Sequence, residues 1–110
     1  MSYSYEKDRL RTATMLGNLG YSPDEVDTIL RAATIVQRVA ELTCSFDIGE
    51  RETKRQETRS DNAEKRVAKI VISHGHKFEP MRDARGYAFH IIADDREYGI
   101  PGRSYPASMF

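Results

Sequence analysis

A chain of 110 residues allows one domain with a modest core, burying about two-thirds of the surface that its unfolded form exposes. Hydrophobic residues make up 39% and charged residues 31%, and six Tyr with four Phe separate the chain from disordered sequences, which are poor in aromatics. Lys plus Arg balances Asp plus Glu at 17 each, which excludes a generally basic nucleic-acid binder and a strongly acidic mimic of DNA.

The single cysteine, Cys44, cannot form an internal disulfide, so the fold does not depend on an oxidising compartment. The opening residues show no apolar run behind a basic start, and no stretch approaches the ~18 apolar residues of a membrane span. The expected location is therefore cytoplasmic.

Residues 3–18 are expected to form a first helix, with Leu10, Ala13, Thr14 and Gly17 on one side and Gly20 ending it. Ser22-Pro23-Asp24-Glu25 then opens a second helix over 23–45. Ser22 suits the N-cap, Pro23 the first helical position, and Glu25 the far side of a capping box. Val26, Ile29, Leu30, Ala33, Val36 and Ala40 recur at helical spacing, and Ile35, Val39 and Leu42 widen the stripe, so this helix should pack on two sides.

The charged segment 50–73 also winds into an ordered helix. Thr53, Gln56, Ser60, Ala63, Val67, Ile70 and Val71 share one uncharged stripe, Arg51, Arg55, Arg59 and Arg66 a second, and Glu50, Glu57, Asp61 and Glu64 a third. The pairs Glu50–Lys54 and Asp61–Lys65 have the favourable acid-first order. Gly75 ends the helix. Strands are expected at 76–79, at 87–93 and at 97–100, with turn chemistry at Arg82–Gly86 and at Asp94-Asp95. The expected class is α+β, one domain over 1–100, with three helices, a small antiparallel β unit packed against the second and third, and an extended or mobile tail over 101–110.

Chemistry-bearing residues each have a structural reading. His74-Gly75-His76 lacks the third and fourth ligands that zinc needs, even if His90 or Cys44 were to approach, and two histidines at a helix end suit capping of its last carbonyls. Cys44 lies on the apolar stripe of the second helix, which points to a buried thiol rather than a nucleophile. Asp83, Asp94 and Asp95 sit in turn contexts. No phosphate-cradling glycine loop or nucleophile elbow occurs. No catalytic residue, metal or cofactor is expected, and the chain is read as a non-enzyme.

The corner from Leu16 to Ala33 resembles the start of small ubiquitin-associated-type domains and, superficially, a helix-turn-helix. A longer resemblance rests on Val39-Ala40-Glu41-Leu42-Thr43-Cys44, a charged helix, Lys77-Phe78, and Asp83-Ala84-Arg85-Gly86-Tyr87 leading into a strand. This pattern is similar to short uncharacterised proteins of phages and prophages, which carry an Ala-Glu-x-x-Cys helix end and an Asp-Pro-Arg-Gly turn before a strand. Here Ala84 stands in place of the proline, and a tryptophan-rich ending is absent.

The resemblance implies a phage-type accessory protein that binds a host macromolecule, in first place a protein, as an anti-defence inhibitor would. Arg82, Arg85 and Tyr87 are the candidate contacts, because rigidly held Arg and Tyr are enriched at interaction hot spots. The alternative is a nucleic-acid-binding accessory or regulatory protein using Arg51, Arg55, Arg59 and Arg66. Association with a second copy is a further option, through the uncharged stripe at the start of the third helix.

Overall fold

The computed structural model describes residues 5–45, 49–80 and 87–102. Its elements are α1 (Tyr5–Asn18), α2 (Pro23–Ser45), α3 (Glu50–Ser73), β1 (Lys77–Pro80), β2 (Tyr87–Ala93) and β3 (Arg96–Pro101). This is the expected α+β architecture of three helices and a three-stranded antiparallel sheet in the order β1-β2-β3. Among the described residues no helix is long and apolar enough to cross a membrane.

Two glycine stops shape the helical layer. At the end of α1, Tyr21 N–H donates to Leu16 O and Gly20 N–H to Gly17 O; at the end of α3, His76 N–H donates to Val71 O and Gly75 N–H to Ile72 O. Both are Schellman motifs, and each needs a left-handed residue that glycine adopts without strain: φ is 105° at Gly20 and 79° at Gly75. Between them the capping box of α2 forms reciprocally. Ser22 N–H donates to Glu25 Oε1 at 2.9 Å, and Glu25 N–H donates to Ser22 Oγ at 3.2 Å.

The apolar width of α2 explains its central place. It touches α1, α3, β2 and β3, and Ile29, Ala33 and Val36 are almost wholly buried. From α3 come Ala63, Val67 and Val71, and from the sheet Phe89, Ile91 and Ile100. The stripe of α3 is polar at its start: Thr53 and Gln56 are half-buried, and Ser60 is buried with its Oγ lacking a hydrogen-bond partner. Packing therefore tightens along the helix toward its C-terminus.

The first helix presents a different face from the expected one. Among its described residues Leu16 and Thr12 are buried, whereas Leu10 is 66% exposed. Ala13, Thr14 and Gly17 instead line an open groove of about 460 Å³ against Tyr21, Val26 and Leu30 of the neighbouring corner and α2. The Schellman turn sets how α1 crosses α2, and that crossing brings Leu16 inward rather than Leu10.

In the sheet, Asp94 and Asp95 form the two-residue turn joining β2 to β3, closed by the pair Ala93 and Arg96. Both have positive φ, 52° and 62°, as a type I′ hairpin turn requires, and aspartate tolerates this better than most residues. β3 runs through Pro101, and Gly102 is buried against α2; residues 103–110 lie outside the described residues.

Candidate functional site

Three clusters among the described residues bear on function. The first joins the corner of α1 and α2 to the end of α3. His74 Nε2 lies 2.9 Å from Glu25 Oε1, and His76 Nδ1 lies 2.7 Å from the Tyr21 hydroxyl. The Tyr21 and His74 rings are 4.4 Å apart, and the two imidazoles stack at 6.2 Å.

Burial, reinforced by the charge of Glu25, pushes the Tyr21 hydroxyl up to about 12, so it keeps its proton and can donate it to His76. Glu25 is held below its ordinary carboxylate value, first by the Ser22 N–H; burial opposes this, and His74 adds to it. The carbonyls at the end of α3 are met by backbone N–H groups, so the expected capping by imidazole is replaced by side-chain links across the fold.

A depressed carboxylate gives a pH dependence of definite sign. The contribution of Glu25 to stability is complete above its ordinary value of 4.5 and is lost as pH falls through the lower folded value. Melting temperatures of the chain and of Glu25→Gln, taken from neutral to acid pH, should therefore converge at the acid end. A constant gap would show that the Glu25 charge does not matter.

The second cluster lies on the outer face of the sheet and includes Tyr87. Strict alternation along β2 would place Tyr87 on the same side as the buried Phe89, Ile91 and Ala93. A register shift between Tyr87 and Phe89 prevents this: Tyr87 pairs with Pro101 and Phe89 with Ile100, leaving Ala88 as the extra residue of a bulge. Ala88 and Phe89 are consequently both buried, while Tyr87 turns outward and is 36% exposed.

The Tyr87 ring lies where a side chain on Gly99 would stand, 2.8 Å from the position of its Cβ, and 5.8 Å from the His90 ring. His90 sits between Glu79 of β1 and Gly99 of β3 by register, and its Nδ1 is buried with no hydrogen-bond partner among the described residues. It does not join the other two histidines. Arg82 and Arg85, and with them Asp83, lie outside the described residues, as does the side chain of Cys44.

The third cluster is the solvent face of α3. Arg51, Arg55, Arg59 and Arg66 are all exposed, and winding the helix at 100° per residue places Lys54, Lys65 and Lys69 on the same face. All seven cations of α3 fall within an arc of about 140° that contains none of its acids. The acid-first spacing of Glu50–Lys54 and Asp61–Lys65 points these two lysines toward acids instead. Among the described residues Glu50 and Lys54 form no ion pair within 4.0 Å, whereas Arg55 and Glu52 approach to 3.9 Å.

Among the described residues no group of three or more His, Cys, Asp or Glu is placed to hold a metal ion. No family model, curated protein or solved structure matches the chain.

Proposed function

We propose that this chain is an accessory protein of the phage type that acts by contact rather than catalysis, binding a host protein through the outer face of its sheet around Tyr87. The observation that carries this reading is the bulge in β2. It spends a ladder position to turn an aromatic residue out of the core and lay it across a glycine, where the ring is both exposed and held. Bulges re-aim side chains in this way, and an immobilised tyrosine gives contact area at low entropic cost.

Residues 82–86 directly precede Tyr87 in the sequence, so Arg82 and Arg85 are the neighbouring contacts in this reading. The employment of His74 and His76 as partners of Glu25 and Tyr21 supports a structural use of the most reactive-looking local motif. A component of a host defence system is the class of partner that the resemblance to phage proteins suggests.

The test is recovery of a stoichiometric partner on a tagged chain from nuclease-treated host extract, followed by affinity measurement with Tyr87→Ala. Loss of a hot-spot side chain, worth about 2 kcal/mol or more, should weaken binding about thirtyfold. Unchanged affinity in a variant with an unchanged melting temperature would refute the assignment of Tyr87.

A further inference from the structure

We propose that the acid-free face of α3 is a docking surface for the sugar–phosphate backbone of a nucleic-acid duplex, separate from the protein contact around Tyr87. The face runs from Arg51 to Lys69, about 27 Å at 1.5 Å per residue. Its remaining positions are Thr58, Asn62 and Ser73, all exposed hydrogen-bonding groups, and Ile72 at the far end. Such a lining suits phosphate: guanidinium groups pair with it in fork geometry, and the Asn62 amide adds a neutral donor, while the Thr58 and Ser73 hydroxyls donate to Lys54 O and Ile70 O within the helix.

An acidic protein is the competing partner, and the composition of the face argues against it. Protein interfaces are built around an apolar or aromatic centre depleted in charge. This face has cations at its centre and one apolar residue at its edge.

The acids of α3 modify the expected behaviour without removing the site. Glu50, Glu57, Asp61 and Glu64 lie on the flank beyond Lys54, and Glu52 borders the opposite edge, where it approaches Arg55. Together with a formal net charge of zero they weaken attraction at long range. At contact, the nearest charges are the exposed cations, and among the described residues Arg51, Arg59 and Arg66 make no ion pair within 4.0 Å. Binding should therefore be independent of sequence, modest, and strongly weakened by salt.

The experiment is fluorescence anisotropy of a labelled random-sequence DNA duplex titrated with the full chain. Four phosphate contacts predict a log–log salt slope of about −3.6, a loss of about 150-fold in affinity between about 50 and about 200 mM salt. The combined variant Arg55→Glu, Arg59→Glu, Arg66→Glu should bind at least about tenfold more weakly at low salt. A second set, Lys54→Gln, Lys65→Gln, Lys69→Gln, probes the other half of the face without reversing charge and should lower the salt slope.

All these positions are exposed, and thermal melts establish that each variant is folded. Absence of duplex binding at low salt would overturn the proposal, as would binding by both folded variant sets equal to that of the unaltered chain. Displacement of the duplex by polyglutamate as readily as by unlabelled duplex would also overturn it, in favour of an acidic protein partner.

Discussion

Replacing Phe89 by alanine is expected to cost about 3–5 kcal/mol, enough to leave much of the population unfolded in a domain whose total stability is of order 5–15 kcal/mol. Phe89 is wholly buried on the central strand and pairs with Pro80 of β1 on one side and Ile100 of β3 on the other. Its ring lies 5.2 Å from that of Phe78, tilted by 50°. Truncation removes the transfer energy of the ring and leaves a cavity that flanking strands, tied into ladders on both sides, cannot close. Tyr87→Ala, two residues away on the same strand, removes a ring that stands outside the core and should cost far less. Urea unfolding of the two variants checks this directly, and similar midpoints would show that the bulge does not separate an inner from an outer residue.

The second large effect is expected at Gly102, immediately after β3. A Cβ there would stand 2.2 Å from the backbone oxygen of Ala33 and 2.7 Å from Cβ of Gln37. The obstruction is helix backbone, which cannot turn aside as a side-chain tip would. Gly102→Ala should therefore cost about 1–3 kcal/mol through overpacking, or force the end of β3 away from α2. The two outcomes share a signature, faster amide exchange along β3 with little change in α1. Gly17→Ala is the contrasting case, since nothing lies within 4 Å of the added carbon and its helical site should gain up to about 1 kcal/mol. Equal effects at the two glycines would contradict the close packing of the chain end on α2.

Much of this architecture was legible because local signals agreed with one another. Ser22 to Glu25 carried its own hydrogen-bonding logic, and the structure shows both bonds of the box. Gly20 and Gly75 marked helix ends that proved to be left-handed turns. The stripe of Ser60, Ala63, Val67 and Val71 revealed order in a segment whose composition alone suggests a charge run.

What escaped the sequence was non-local. His74 and Glu25 are 49 residues apart, and His76 and Tyr21 are 55 apart, so nothing in either neighbourhood announces that they meet. The buried face of α1 depended on the angle of the corner after it. The bulge at Ala88 is the clearest instance, because one extra residue moves Tyr87 to the opposite side of the sheet from the one alternation predicts. Lysines of α3 were hidden for another reason: pair spacing drew them toward acids, while the full winding gathers them with the arginines.

The two proposed contact surfaces lie on different elements, one on the sheet and one on α3, so their substitutions should act independently. The most direct measurement is the amount of stoichiometric protein retained from nuclease-treated host extract by the tagged chain, by Tyr87→Ala, and by the triple arginine variant of α3. Full retention is expected for the first and third, and loss for the second. Retention unaffected by Tyr87→Ala, or recovery of no stoichiometric protein on the unaltered chain, would contradict the proposed protein contact.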